Sequence, residues 1–282
     1  MKYLSYLLFG LLVFTSSCRK DSQFIKKAKQ VILPAEIRSL WTAAEDVLYE
    51  LSLPVDGYIM IGNNTTHLNQ TSIPGEHIYV DGFILNSSGV ASDFGSFSID
   101  STDYITPSQV NGHYGYKLLP GTEDLSYLFG NTNSYSLAGN TGSGFPGFVN
   151  ESLYFPEAIM ISSPSYIGGQ IDTTEVNDYI TWNADSNDSI GVSIVLSYDP
   201  INNVANGLVS NNPDPIIKYY HVLDNGSFQL SSTVLSNFPA GAKLDVHLAR
   251  GNYKRVTATG TLTYYIGILN YTKISTIIQI EE

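Results

Sequence analysis

The stretch Ile190–Tyr198 reads IGVSIVLSY, and its pattern decides the class of fold. Every second residue, beginning at Ile190, is large and apolar, whereas the residues between them are small or polar apart from Val195. A period of two predicts a β-strand that buries one of its faces. Lys243–Ala249 has the same alternation and is predicted as a second strand of this kind.

The rest of the second half is also rich in short β-like runs separated by turns. About eight strands are predicted in residues 156–282 with no helical stretch between them, which favours an antiparallel β-sandwich of immunoglobulin-like type over a parallel α/β sheet. Trp182 is predicted to fill the core between the sheets, and the lack of flanking cysteines excludes an antibody-type domain. The other predicted strands are Ala158–Ser162, Tyr179–Asn183, Ile216–Leu223, Phe228–Leu230, Leu262–Leu269 and Ile274–Ile280.

Residues 54–155 are predicted to form a first β domain. Asn-rich and Gly-rich turns separate its β-like runs, and Asn111-Gly112 is the strongest tight-turn pair among them. Residues 131–150 are predicted as a loop with one short strand at Ser134–Ala138. The whole fold is therefore predicted as all-β, with two antiparallel β-sandwich domains and one short N-terminal helix. The predicted strands of the first domain are Gly57–Ile61, His77–Leu85, Phe94–Ile99 and His113–Leu119.

The helix is predicted at residues 34–53 and is amphipathic. Pro34 suits a first helical turn, and Pro54 would end the helix. Such a helix either packs on the first β domain or lies on a membrane or a partner, and its acidic polar face favours packing on the domain. Its apolar residues, at spacings of three and four, are Ile37, Leu40, Trp41, Ala44, Val47, Leu48 and Leu51.

Met1–Cys18 has the pattern of a secretory signal. Lys2 gives a positive start, Tyr3–Phe14 is mostly apolar, and three small residues precede Cys18. The apolar run is too short to cross a bilayer comfortably as a helix. A cysteine at the cleavage point resembles the lipobox of bacterial lipoproteins, and this resemblance implies removal of residues 1–17 and lipidation of Cys18. An ordinary secretory signal that ends near a cysteine is the alternative.

Charge is distributed unevenly along the chain. Five of the 14 basic residues lie in residues 18–33, the predicted lipid-anchored tether, while from Ser39 onward seven basic residues face 24 acidic ones, a formal charge of −17. A basic tether is attracted to anionic head groups or simply keeps the segment solvated, and the acidic body disfavours nucleic acid as a partner. Cys18 is the only cysteine, so it suits attachment and not an intramolecular disulfide.

The signal, the tandem sandwiches and two short motifs together resemble envelope lipoproteins of Bacteroidota that are themselves uncharacterised. The motifs are Ile180-Thr181-Trp182 and Asp224-Asn225-Gly226-Ser227-Phe228. The resemblance implies an outer-membrane or cell-surface lipoprotein with palmitate on Cys18, and it leaves open whether the body faces the periplasm or the exterior.

The sequence contains no recognisable catalytic motif. No two of its five histidines have the spacing of a zinc protease, and neither a nucleophile elbow nor a P-loop occurs. His221 and His247 are predicted to lie at a rim or on a solvated sheet face. No catalytic residue, metal ligand or cofactor is predicted.

Acidic clusters are the remaining candidates for chemistry. Residues 183–188 are rich in side-chain oxygens, as calcium loops are, but lack the glycine and glutamate of an EF-hand, which favours an ordinary turn. Paired acids could hydrolyse a glycosidic bond if their separation in space were suitable. The two candidate groups are Asp172, Glu175 and Asp178, and Asp100 and Asp103.

Tyrosines and one basic stretch are the candidates for binding. Exposed tyrosines stack on sugar rings and donate hydrogen bonds, although tyrosines also pack sheets, and neighbours in a strand must point to opposite faces. Arg250, Lys254 and Arg255 flank the turn-forming Gly251 and Asn252, and are predicted at an exposed loop tip that binds an acidic ligand or is merely solvated. The tyrosines considered are Tyr104, Tyr114, Tyr116, Tyr127, Tyr135, Tyr154, Tyr219, Tyr220, Tyr264 and Tyr265.

The function predicted from these features is that of a lipid-anchored envelope protein with a non-enzymatic binding or structural role. Its partners are the membrane, through lipidated Cys18, and an envelope glycan or protein. The alternative is a polysaccharide hydrolase that works through carboxylates.

Overall fold

The computed structural model of the chain describes residues 53–66, 78–110, 113–118, 125–164, 173–187, 191–205 and 214–281. The predicted signal, tether and nearly all of the predicted helix lie outside these residues, as does the Asn111-Gly112 turn. The described α-helices are α1 (Pro200–Ala205) and α2 (Ser232–Leu235). The strands are β1 (Gly57–Thr66), β2 (Ile78–Ile84), β3 (Phe97–Ile99), β4 (Thr102–Val110), β5 (His113–Leu118), β6 (Asn131–Leu137), β7 (Phe148–Phe155), β8 (Ile161–Ser163), β9 (Thr173–Thr174), β10 (Tyr179–Trp182), β11 (Gly191–Tyr198), β12 (Ile216–Leu223), β13 (Ser227–Gln229), β14 (Lys243–Thr259) and β15 (Thr263–Ile280).

One large sheet extends through the whole molecule, with the strand order β12-β11-β14-β15-β1-β2 and β9 beside the end of β15. Its centre is the long hairpin of β14 and β15, which pair without a break from Lys243 with Gln279 to Thr259 with Thr263. The runs predicted as separate strands, Leu262–Leu269 and Ile274–Ile280, are thus parts of one strand, because the polar residues between them continue the ladder.

Two smaller sheets pack on the same face of the large sheet. The five-stranded sheet β5-β4-β3-β6-β7 closes a first core, and the three-stranded sheet β13-β10-β8 closes a second core together with α2. The predicted all-β, β-sandwich fold is confirmed. Since strands from both halves of the sequence build the large sheet, the two sandwiches share it, and the boundary at residues 155/156 stays a prediction.

Two strand pairings differ from the antiparallel prediction. β1 and β9 both pair with β15 in parallel. A parallel pair needs a long crossover, and almost 200 residues separate β1 from β15. The first half also contains two strands that were not predicted, β4 and β7, because β4 contains Pro107 and both are rich in polar residues.

Strand alternation gives the hairpin two distinct faces. Even-numbered residues of β14 and β15, such as Leu248 and Ile266, point into the two cores, and we call this side the inner face. Odd-numbered residues point to the other side, the outer face. This division decides which side chains of the hairpin can act together.

Candidate functional site

The stretch Arg250–Arg255 is not a loop tip, so that prediction is wrong. These residues lie inside β14 and pair with β15 from Arg250 with Thr272 to Arg255 with Gly267. The turn of the hairpin comes later, at residues 260–262. Gly251 and Asn252 form turns readily, but here cross-strand pairing over the whole hairpin outweighs that local preference.

Alternation separates the three basic residues that were predicted to bind one ligand. Arg250 and Lys254 are on the inner face, whereas Arg255 is on the outer face. The Arg250 side chain is completely buried, and Lys254 forms a part-exposed ion pair with Glu151 at 2.8 Å. The Arg255 guanidinium stacks 3.8 Å from the centre of the Tyr265 ring. The three do not form one site, and a ligand role for Lys254 or Arg255 stays a prediction.

Arg250 is the centre of a buried polar cluster between the two cores. Its Nη1 donates to Asp224 Oδ2 at 2.6 Å and to the carbonyl oxygen of Asn183 at 2.9 Å. Its Nε donates to the carbonyl oxygen of Glu157 at 2.9 Å, and its Nη2 to that of Ala158 at 3.3 Å. Every nitrogen of the guanidinium therefore has an acceptor, as a buried cation requires.

Two carboxylates complete this cluster, and protein donors hold both of them. Asp224 also accepts from Trp182 Nε1 at 2.6 Å and from the backbone N–H of Asp185 at 3.1 Å. Asp185 accepts from the hydroxyl of Tyr154 and the backbone N–H of Glu157, both at 2.7 Å. Burial, together with this hydrogen bond to Asp185, raises the pKa of Tyr154 to about 12. Tyr154 therefore remains a neutral donor at physiological pH.

The turn after β12 positions Asp224 for this role. Gly226 adopts a left-handed conformation with φ of 81°, and a Cβ at that position would lie 3.0 Å from the carbonyl oxygen of Trp182. The Asn225 side chain accepts from the backbone N–H of Ser227 at 3.1 Å. Glycine is thus required at position 226, because only glycine avoids both the strain and the close contact.

The Arg250 cluster anchors the connection between the two sandwiches. The carbonyl oxygens of Glu157 and Ala158 lie on the segment that leaves β7 and leads to β8, and Arg250 binds both of them. Its guanidinium and both carboxylates are fully buried and are hydrogen-bonded to one another, to side chains or to the backbone. We conclude that it is structural.

The acidic candidates are engaged in local hydrogen bonds. Asp100 accepts from the backbone N–H of Ser134 at 2.8 Å, and Asp178 from that of Glu175 at 2.8 Å. Asp103 accepts from the hydroxyl of Ser98. Asp172 and Asp188 lie outside the described residues. Within the described part of the chain, no three His, Cys, Asp or Glu side chains are grouped so that they could hold a metal ion.

The described part of the oxygen-rich stretch, residues 183–187, forms a turn that serves the second sandwich. The Asn183 side chain accepts from the backbone N–H of Met160 and donates to the carbonyl oxygen of Ala158. Asp185 accepts from the backbone N–H of Asn187 as well as from Tyr154. These oxygens are therefore committed to the turn that was predicted, which leaves few of them for calcium.

Two histidines lie on the outer face of the large sheet: His221 is exposed, as predicted for a solvated sheet face, whereas His247 is half-buried. His247 Nδ1 is 2.7 Å from the hydroxyl oxygen of Ser275. Burial, and then the charge of Lys273, lower the pKa of His247 to about 4. The pKa of His221 is also lowered, because the neighbouring strands remove part of the water around this otherwise exposed side chain. His67 and His77 lie outside the described residues.

The tyrosines divide between core and surface. Tyr116, Tyr135 and Tyr264 are buried in the first core. Tyr219 is exposed while its neighbour Tyr220 packs on the second core, which confirms that adjacent tyrosines point to opposite faces.

A cleft beside Tyr179 is the best candidate for a ligand site in the described residues. Its volume is about 270 Å³, and its lining includes Asp178, Thr181, Ser163 and Thr174. The Tyr179 side chain is 51% exposed, because the alternation of β10 turns it away from buried Ile180 and Trp182. Sequence analysis missed Tyr179, although its position out of phase with Trp182 was a usable signal. An exposed ring beside hydroxyls and one carboxylate suits a small polar ligand with an apolar face.

Comparisons with known proteins add little to this geometry. No known protein family matches the sequence, and no curated protein is similar to it. Two solved structures of protocadherin gamma B2, extracellular cadherin domains 1–5 and 3–6, are 11% and 12% identical to the chain, each with a TM-score of 0.18. They align with 81% and 80% of this chain, which spans only 40% and 50% of theirs. Neither described α-helix has the length or apolar content to span a bilayer.

Proposed function

We propose that this chain is a lipid-anchored envelope protein that binds carbohydrate without cleaving it. The proposal combines the signal and single cysteine of Met1–Cys18 with the cleft beside Tyr179. The cleft is the observation that carries it, because it brings an exposed aromatic ring and several hydroxyl groups together in one concave surface. Its volume of about 270 Å³ is slightly below the range of about 300–1,000 Å³ for sites of drug-sized ligands, and it suits a smaller ligand of the size of one sugar residue.

The chemistry of the cleft favours binding over hydrolysis. Glycoside hydrolysis ordinarily uses two carboxyl groups that flank the scissile bond. The one carboxylate in the described lining of the cleft is that of Asp178, and it already accepts the backbone N–H of Glu175. In the described residues, the paired carboxylates Asp185 and Asp224 are buried around Arg250 and face no cleft. We therefore do not propose a hydrolase.

Anchoring is tested by membrane fractionation and fatty-acid labelling of the Cys18→Ser variant. We expect the variant to lose both the label and its membrane retention, because lipid chains hold a protein at a membrane once its signal is removed. Unchanged labelling and retention would show that Cys18 is not the anchor.

Carbohydrate binding is tested by a glycan-array screen of the soluble fragment of residues 19–282. For any glycan that binds, Tyr179→Ala should abolish binding, because stacking on the ring is lost. Tyr219→Ala is the matched control, since Tyr219 is equally exposed but lies on β12, away from the cleft. If no glycan binds, or if Tyr179→Ala binds as well as Tyr219→Ala, the carbohydrate proposal is wrong.

A further inference from the structure

The outer face of the large sheet carries a second apolar surface opposite the first core. We call it the outer cluster. It comes from four adjacent strands of the same sheet, β14, β15, β1 and β2. Its members are Tyr58, Met60, Tyr253, Leu269 and Tyr271, with Tyr79 and Phe83 packed against them.

The outer cluster is buried although all its members belong to one sheet. The Leu269 side chain is 0% exposed. Outward side chains of a sheet are normally solvated unless a second layer covers them. β12, at the edge of the same sheet, shows this contrast, because its outward Ile217 and Leu223 are 52% and 78% exposed. The described residues supply no second layer to the outer cluster.

We propose that residues 34–53 form this missing layer, packed as an amphipathic helix on the outer cluster. The path of the chain supports this occupant. The described chain begins at Leu53, and Arg255 on the outer face donates from Nη2 to the carbonyl oxygen of Pro54 at 3.2 Å. Residues 34–53 are therefore delivered directly to this face.

The dimensions of the segment match the surface. Twenty residues of α-helix extend about 30 Å, and a helix with its side chains is about 10–12 Å wide. Four strands span about 14 Å from first to last. With its axis across the strands, one helix is therefore long enough to cover the whole width of the outer cluster.

The chemistry of the segment also matches. Its seven apolar residues, from Ile37 to Leu51, recur at helical spacing and include Trp41. Four acidic residues and one basic residue give it a formal charge of −3. The surface presents Arg255, whose Nε is buried without a hydrogen-bond partner among the described residues. An acidic helix at this edge would complement that cation.

A docked helix would also limit the distance between the body and the membrane. This step, unlike the docking itself, rests on the proposed lipid anchor at Cys18. If the helix belongs to the body, only residues 18–33 connect the lipid to it. Sixteen residues extend at most about 55 Å, so the first residue of the helix, Pro34, stays within about that distance of the membrane.

The experiment uses Trp41 as a reporter in the chain of residues 18–282 carrying Cys18→Ser. The protein has two tryptophans, so subtracting the spectrum of Trp41→Phe from that of the parent isolates the emission of Trp41. A docked helix should give Trp41 emission at short wavelength and resistance to acrylamide quenching. Met60→Ala should shift the emission to longer wavelength, whereas the control Met160→Ala should not, because Met160 is exposed just before β8 of the three-stranded sheet.

A second measurement covers the case in which Met60→Ala destabilises the whole protein. A double-mutant cycle between Leu48→Ala and Met60→Ala should show coupling in the free energy of unfolding, and the cycle between Leu48→Ala and Met160→Ala should be additive. Additivity in both cycles would overturn the proposal.

The Trp41 data also separate the other possible occupants. If acrylamide quenches Trp41 in the monomer as strongly as it quenches free tryptophan, the proposal is wrong. Protection of Trp41 that appears only when the protein dimerises would assign the surface to a second copy of the chain and would also overturn the proposal. Protection that requires anionic vesicles would assign the segment to the membrane and overturn it equally. None of these outcomes bears on glycan binding by the Tyr179 cleft, so the two proposals fail separately.

Discussion

Two ion pairs on the inner face of β14 look alike by distance and differ in environment. Arg250 Nη1 lies 2.6 Å from Asp224 Oδ2, and Lys254 Nζ lies 2.8 Å from Glu151 Oε2. The side chains of the first pair are 0% and 1% exposed, whereas those of the second are 36% and 32% exposed. Because the distances are similar, we expect solvent access, and not the distance between the charges, to determine what each pair contributes to stability.

The physical reason is the energy of desolvation. A buried charge has lost its water, so removing its partner leaves a charge that nothing compensates. A charge at the surface exchanges its partner for water at little cost. Arg250 accordingly binds three backbone carbonyls besides Asp224, whereas Lys254 binds one, that of Ser152 at 3.1 Å.

The largest expected effect is that of Arg250→Ala. Removing the cation leaves Asp185 and Asp224 buried without it, and it removes one donor from each of the carbonyl oxygens of residues 157, 158 and 183. We expect a loss of about 3–5 kcal/mol in the free energy of unfolding, measured by urea denaturation. A loss below about 1 kcal/mol, the range of exposed pairs, would show that the cluster is hydrated and that the comparison is wrong.

Trp182→Phe weakens the same cluster from its other side. The substitution keeps an aromatic ring in the second core but removes the donor to Asp224. Hydrogen bonds to charged groups contribute about 1.5–3 kcal/mol, so the expected loss in thermal or urea unfolding is of that size. In the Asp224→Asn background the same substitution should cost less, because the acceptor has lost its charge. An equal cost in both backgrounds would attribute the effect to packing alone.

The sequence predicted the strands of this region well but not the cluster. The alternation in Ile190–Tyr198 and Lys243–Ala249 predicted two strands with one buried face each, and β11 and β14 are such strands. The same alternation, continued past Ala249, places Arg250 in phase with Leu248 and therefore inside. The turn-forming residues Gly251 and Asn252 concealed this continuation.

The partners of Arg250 could not be predicted from sequence. Asp185 and Asp224 are distant from it along the chain, and only the arrangement of the sheets brings all three together. The shared large sheet was likewise hidden, because the parallel pairing of β1 with β15 depends on contacts almost 200 residues apart. Tyr179 could be assigned to an exposed face from its phase, but the cleft beside it depends on β8, β9 and Leu230 as neighbours.

His247 has an intermediate environment on the outer face of the same strand. Its pKa is lowered from 6.5 to about 4, so the unfolded chain binds more protons between these values than the folded chain does. Stability from this group is therefore complete above pH 6.5 and is lost as the pH falls towards 4. Between pH 6.5 and pH 4, and after allowance for partial solvent screening, we expect the free energy of unfolding of the parent to fall by about 1–2 kcal/mol more than that of His247→Gln.

Urea titrations of the parent and His247→Gln across this pH range measure the difference. His221→Gln is the control, because His221 is exposed on β12 and should retain most of the parent's pH dependence. If His247→Gln has the same pH dependence as the parent, then water reaches this position and the intermediate environment does not exist.

The smallest expected effect is that of Lys254→Ala. Both partners of this pair contact water, so we expect a loss of about 0–1 kcal/mol in the free energy of unfolding. A double-mutant cycle with Glu151→Gln should give a coupling within the same range, and the coupling should decrease in 1 M salt, where the screening length is about 3 Å. The buried Arg250 pair should keep its coupling to Asp224 in the same salt. A loss from Lys254→Ala as large as that from Arg250→Ala would mean that something other than exposure separates these two pairs.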